Sequence, residues 1–222
     1  PFEYYDENGA LTGLDVFVID TIMQSLGYTY EFINYLDFDQ LLPALENGEI
    51  DLAIASINPS NNRLDRFSFS IPYYQDTQFI ITRVSQASEY STQESLSGKS
   101  ISYLHDDQLR FFLEDALPDS EHIAYEDMAL MRYVLLEGET DAILCNRYYA
   151  QTLIESGELA IAQTMNDDRF LSAIAFSKNC DTALIRKINT IIQTKLTSDV
   201  VNAKYLEEVD YILNCKQQKK SP

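Results

Sequence analysis

Apolar positions in the first fifty residues follow two periods. From Leu14 to Leu26 they recur at helical spacing (Leu14, Phe17, Val18, Ile22, Leu26) and Gly27 ends the run, which predicts an amphipathic helix with a glycine stop. Before it, Tyr4-Tyr5 and Leu11 flank Asp6-Glu7-Asn8-Gly9, and Asn-Gly between strand formers predicts a hairpin over Glu3–Gly13. After it, Tyr28 to Asn34 alternates as a strand does. Phe38 to Glu46 returns to helical spacing, with Asn47-Gly48 as its C-cap. The apolar run Ile50–Ile54 reads as a buried strand that feeds a polar loop.

The rest of the chain continues the alternation of strands and helices. Phe79–Val84 is apolar and β-branched and is followed by the serine-rich Ser85–Ser97, a change expected where a chain crosses between lobes. Lys99–Leu104 reads as a strand, Gln108–Leu117 as a helix and Pro118–Ser120 as a loop. A helix is expected from Asp127 to Glu137, ended by Gly138, then a strand over Asp141–Leu144 and a helix over Asn146–Ser156 stopped by Gly157. Leu171–Phe176 reads as a strand crossing back, Thr182–Leu196 as an amphipathic helix capped by Asp181, and Lys216–Pro222 as a fraying tail. One phrase occurs twice: Leu45-Glu46-Asn47-Gly48-Glu49-Ile50-Asp51-Leu52-Ala53-Ile54 is echoed by Leu136-Glu137-Gly138-Glu139-Thr140-Asp141-Ala142-Ile143-Leu144. The pattern predicts an α/β chain of two lobes, residues 1–83 plus 175–222 and residues 84–174, joined by two crossings and each with a mainly parallel sheet.

Composition narrows the function classes. With 45% hydrophobic and 12% aromatic residues in 222, the chain has enough apolar surface for a real core. The net charge of −19 argues against nucleic acid or an anionic membrane surface as partner. No apolar run approaches the ~20 residues of a bilayer span, and Pro1-Phe2-Glu3-Tyr4 does not resemble a signal peptide. Of the cysteines at 145, 180 and 215, the last two suit either a bridge that ties down the C-terminal segment or reduced thiols. With two histidines and no ligand spacing there is no metal motif. There is also no nucleophile motif or phosphate loop, so no cofactor is expected.

The chemistry concentrates in Ala55–Tyr74. A buried strand ends there in a loop of small hydrogen-bonding residues, including Ser56 and Asn58, and Arg63 follows. Loops beyond the carboxyl ends of strands are where α/β sheets hold small ligands. A guanidinium is the group best shaped to grip a carboxylate through two parallel hydrogen bonds. A strand-to-turn junction with a solvated arginine fits the same residues.

Over essentially its whole length the chain resembles the bacterial extracellular solute-binding proteins for polar amino acids. The resemblance runs through Pro1-Phe2…Asp6-Glu7-Asn8-Gly9…Gly13-Leu14-Asp15-Val16, Asp37-Phe38…Gly48-Glu49-Ile50-Asp51, Phe67-Ser68-Phe69-Ser70-Ile71-Pro72-Tyr73-Tyr74, Leu96-Ser97-Gly98-Lys99 and Gly138…Asp141-Ala142. It implies a two-lobed (Venus flytrap) type II periplasmic-binding-protein fold with two crossing strands at the hinge, closing on a small carboxylate ligand, most readily an amino acid. By the same resemblance Arg63 grips the α-carboxylate, Ser56, Asn58 and Ala55 line the loop, and Phe38 is an aromatic wall. In the second lobe the matching positions read Asp106-Asp107-Gln108 where the family has a Gly-Thr/Ser-Thr turn. Asn146 stands where the family places an aspartate for the α-ammonium. Asp106 is expected to cap its helix, and with Asp107 and Asn146 to face a cationic or hydroxyl-rich ligand end. The family's first strand would precede Pro1, so a longer natural chain is implied. The phrasing of Asp141–Tyr148 and Phe170–Lys178 is closer to the sensor version of this fold, fused to membrane-anchored histidine kinases or diguanylate cyclases. The alternatives are a free receptor of an amino-acid ABC permease, a dehydratase-like enzyme using Asp106, Asp107 or His105, and a lobe pair that transmits shape alone. For the first two settings the implied location is extracytoplasmic, periplasmic or on the outer face of the cell membrane.

Overall fold

The computed structural model describes residues 1–35 and 37–218, apart from the side chains of Asp107 and of residues 216–218. The chain divides into two units, Pro1–Gln75 with the segment from Leu171 onward, and Asp76–Phe170.

The first unit opens with the expected hairpin, β1 (Tyr4–Tyr5) against β2 (Leu11–Thr12). Its turn is closed by the Asp6 carboxylate, which accepts from the Asn8 and Ala10 amides at 2.8 Å each. Gly13 follows at φ 123°, and a Cβ there would lie 2.3 Å from the Phe2 carbonyl oxygen. That close approach lets Leu14 N and Asp15 N donate to Pro1 O and Phe2 O at 3.0 and 2.9 Å. Helix α1 (Leu14–Leu26) buries Leu14, Val18, Ile19, Ile22 and Met23 and ends at the left-handed Gly27. The expected strand over Tyr28–Asn34 is absent: the backbone is irregular and Tyr28, Tyr30, Phe32 and Ile33 are all exposed. Alternation selects a face, but a strand also needs a neighbour for its amides and carbonyls. Among the described residues no strand pairs with this segment.

Helix α2 (Phe38–Asn47), capped by the Asp37 carboxylate, leads through the left-handed Gly48 to β3 (Leu52–Ala53). A single helical turn, α3 (Asn61–Leu64), then β4 (Phe67–Phe69) and β5 (Tyr74–Gln75) complete this part.

The second unit holds β6 (Gln78–Arg83), β7 (Ser100–Leu104), α4 (Asp107–Ala116), β8 (Glu121–Tyr125), α5 (Met128–Glu137), β9 (Ala142–Asn146), α6 (Arg147–Ile154) and β10 (Leu159–Met165). The five strands lie in the order β10-β6-β9-β7-β8. Strand β7 is parallel to β8 and β9, whereas β6 runs antiparallel to both β9 and β10. Phe79–Val84, read from sequence as a crossing, is therefore mostly an interior strand of this sheet. Its continuous apolar character follows from burial on both faces. Ile80, Tyr103 and Leu144 pack with Phe112 and Leu113 of α4, while Phe79, Ile81 and Ile143 pack with Met131 and Leu135 of α5 and Leu153 of α6.

The chain returns to the first unit through β11 (Leu171–Ser172), paired with β5, and β12 (Ala175–Ser177). Strand β12 lies between β3 and β4 and runs antiparallel to both. The parallel sheet expected here is thus an antiparallel one, because its middle strand is the returning segment. Helix α7 (Thr182–Lys195), with the Asp181 carboxylate accepting from Ala183 N, and helix α8 (Ser198–Gln218) finish the unit. Helix α8 continues into the tail expected to fray, and residues 219–222 lie outside the described residues. The repeated phrase is a repeated structure: α2–Gly48–β3 and α5–Gly138–β9 are each a helix, a left-handed glycine cap and a strand. Cys145, Cys180 and Cys215 are all free thiols. No helix among the described residues is long and apolar enough to cross a membrane.

Candidate functional site

The loop after β3 is built from the inside outward. Ile57 is fully buried and Asn58 is 8% exposed, so the loop is pinned at its centre while its flanks reach solvent. Ala173 N donates to Ile57 O at 2.9 Å, and Asn58 Nδ2 donates to Leu171 O at 3.1 Å. The loop is thereby stitched to the returning chain. The Asn58 carbonyl also accepts from Arg63 Nη1 at 3.0 Å, which fixes the guanidinium that α3 carries. The Phe38 ring lies 5.5 Å from the centre of the same guanidinium. Phe38 is 43% exposed, so this cation–π contact contributes about 0.5–1 kcal/mol and orients more than it stabilises. Of the residues expected at the site in the first unit, Arg63, Asn58 and Phe38 form one contact set. Ser56 and Ala55 precede them on the same loop, Ala55 packing against the core of Leu45, Ala53, Ile57 and Phe67.

Ser56 has φ 48°, the one positive value at a non-glycine among the described residues. A left-handed L-residue costs roughly 1–2 kcal/mol. What holds it is Asp15, a residue the sequence reading did not select. Ser56 N donates to Asp15 Oδ2 at 2.9 Å, and the Tyr73 hydroxyl donates to Asp15 Oδ1 at 2.6 Å. A hydrogen bond to a charged group contributes about 1.5–3 kcal/mol, enough to offset the strain. The Ser56 hydroxyl in turn lies 2.8 Å from that of Ser172. Asp15 is 2% exposed. Burial, and then the charge of Glu3, push its carboxyl up to about 7, against the pull of the Tyr73 and Ser56 hydrogen bonds. The Tyr73 phenol is raised in turn by burial and by the Asp15 charge.

A strand ending in a hydrogen-bonded loop followed by an arginine is the order of elements read from the residues of Ala55–Tyr74. The profile of the bacterial extracellular solute-binding proteins, family 3, matches residues 1–207. The chain belongs to this family. The putative ABC transporter arginine-binding protein 2 of Escherichia coli K12 is 23% identical over 197 residues, 87% of this chain and 79% of its own length. The probable ABC transporter extracellular-binding protein YckB of Bacillus subtilis 168 is 30% identical over 159 residues, 69% of this chain and 54% of its own length. Among solved structures, a Streptococcus pneumoniae amino acid ABC transporter substrate-binding protein bound to L-arginine is similar at 24% identity and TM-score 0.67, covering 95% of this chain and 90% of its own. The second substrate-binding domain of Lactococcus lactis GlnP, in open conformation, matches at 20% identity and TM-score 0.69, covering 95% and 89%. At these identities the likeness is one of fold. This family member has the α/β type II periplasmic-binding-protein fold, and the relatives named here are binding proteins, not enzymes.

In the second unit of this solute-binding protein, Asp106 lies just past the carboxyl end of β7 and Asn146 is the last residue of the neighbouring parallel strand β9. Asp106 Oδ1 accepts from Leu109 N at 2.9 Å and Asn146 Oδ1 from Tyr149 N at 3.2 Å. Each caps the helix that follows it, as the sequence predicts for Asp106. The Asp107 side chain lies outside the described residues. His105 pairs with Glu126 at 3.3 Å in an exposed position. Among the described residues no cluster of His, Cys, Asp and Glu is able to hold a metal ion.

Proposed function

We propose that this family member binds an amino acid outside the cytoplasm, gripping its α-carboxylate with Arg63, as the receptor of an ABC transporter. The observation that carries the reading is the set Asn58 O–Arg63–Phe38, in which a guanidinium is oriented in advance by a carbonyl and an aromatic ring. Pre-orientation lowers the entropy lost on binding a planar carboxylate. Ser56, Asn58 and Ala55 supply the loop wall, and the family resemblance assigns the other end of the ligand to the positions of Asp106, Asp107 and Asn146. Three carboxylate or carbonyl groups at that end, on a chain of net charge −19, favour a cationic or hydroxyl-rich side chain. The arginine-binding names of relatives support the same choice.

A thermal-shift screen against the twenty amino acids tests this, because a ligand that binds only the folded state raises its melting temperature. L-Arginine or L-lysine is expected to shift the melt more than L-leucine. Arg63→Ala is expected to abolish the shift. A shift that survives this change rules out the assignment of Arg63.

The sensor-domain setting rests on the phrasing of Asp141–Tyr148 and Phe170–Lys178, which is closer to that version of the fold. The ABC-transporter names of the relatives support the receptor setting instead. Deletion of the gene separates them. Loss of labelled amino-acid uptake marks a receptor, whereas intact uptake with an altered kinase or cyclase output marks a sensor.

A further inference from the structure

We infer that Asp15 is a positioning residue for the ligand site, acting through Ser56: its ionised carboxylate holds the Ser56 amide in a left-handed turn, and protonation loosens that hold. The inference deepens the proposed function and rests on it. Asp15 is buried, at 2% exposure. It sits in the first turn of α1, and its two oxygens are divided between Ser56 N at 2.9 Å and the Tyr73 hydroxyl at 2.6 Å. The residue it grips is the one whose backbone would not choose its own conformation, with φ 48°. From Ser56 the constraint passes along the loop, through Ile57 O to Ala173 N and through Asn58, to the carbonyl that orients Arg63.

The titratable side chains acting on Asp15 are Glu3 and Tyr73. Glu3 acts with burial to favour the neutral acid. The Tyr73 and Ser56 hydrogen bonds favour the carboxylate. With the carboxyl pushed up to about 7, both forms are populated near neutrality. A hydrogen bond to a neutral acceptor is weaker than one to a charged acceptor, so the grip on Ser56 relaxes as the acid protonates. Ligand affinity is then expected to fall roughly three- to tenfold between high and low pH.

Two measurements on the whole chain test this from about pH 5.5 to about pH 8.5. The first follows the Ser56 amide by NMR without ligand, and the second measures affinity by calorimetry for the amino acid that leads the thermal screen, with L-arginine as first probe. The Ser56 amide and the affinity are expected to titrate together. In Asp15→Asn, which keeps an acceptor but no charge, both profiles are expected to be flat and the affinity to stay at the low-pH value. Tyr73→Phe removes a donor that favours the carboxylate, so both midpoints should move to higher pH; this variant carries the test if Asp15→Asn does not fold. An unchanging Ser56 amide alongside normal binding overturns the inference, as does a titrating amide with pH-independent affinity. A titrating amide with no amino acid bound at any pH overturns the proposed function, and the ligand role of Asp15 with it.

Discussion

Phe38 is exposed for almost half of its surface, yet it is placed by the first turn of a capped helix and faces a guanidinium. A residue of that kind contributes little to the core. Phe38→Ala is therefore expected to change ligand-free stability by less than about 1 kcal/mol, while reducing the ligand-induced melting shift by more than half. Equal losses in both would make Phe38 structural. Arg63 and Asn58 could be grouped from the sequence because their loop is local: donor and acceptor are five positions apart. Asp15 was not. Its partners Ser56 and Tyr73 lie 41 and 58 positions away, and a lone aspartate in a first helical turn is also what favourable helix-dipole placement produces.

Helices were read closely because both their period and their ends are written locally. Asp181 and Gly138, for example, cap α7 and α5 with the groups that the sequence suggests. Removing one such cap should show its size. Asp181→Ala leaves the Ala183 amide without the carboxylate that accepts from it at 2.8 Å, and is expected to cost about 1 kcal/mol in urea unfolding. Asp181→Asn should recover most of it. Strands were read less well because their partners are remote. Strands β8 and β10 were not anticipated, and β10 closes an edge of the sheet by pairing with β6 across some eighty residues of chain. Tyr28–Asn34 shows the converse error, since it has the alternation of a strand without a described neighbour. The antiparallel sheet of the first unit was hidden for a related reason. Its central strand β12 arrives from the far end of the chain.

For the molecule as a whole, the repeated helix–glycine–strand phrase carried the α/β class, and the family profile over residues 1–207 agrees with it. Folding this chain nonetheless places an unfavourable charge in its interior. The Asp15 carboxyl rises from its ordinary value to about 7, so between those values the folded state holds a proton that the unfolded state has released. Linkage then requires this group's contribution to stability to fall as pH rises from about 4 to about 7. Asp167 works in the opposite direction. The Arg169 guanidinium holds its carboxyl below the usual range, so its contribution is present at neutral pH and is lost as acid protonates it. Ligand-free Asp15→Asn is accordingly expected to melt above the parent chain at about pH 8 and to converge with it near about pH 4. A variant that melts lower at high pH would show that the ionised carboxylate stabilises the fold, contrary to this account. Binding and stability are thus expected to respond to the same substitution with opposite signs.

The three thiols offer a chemical clock. Cys180 and Cys215 are partly exposed, whereas Cys145 is 3% exposed within β9, where burial pushes its thiol far above the ordinary range. Alkylating reagents attack the thiolate, so two adducts should form on the native protein before a third. The third should appear only as the sheet of residues 76–170 opens, and mass spectrometry of adduct number against time would then report the opening of that unit alone. A ligand held solely by the first unit would leave the third adduct's rate unchanged, and one that also stabilises the second would slow it.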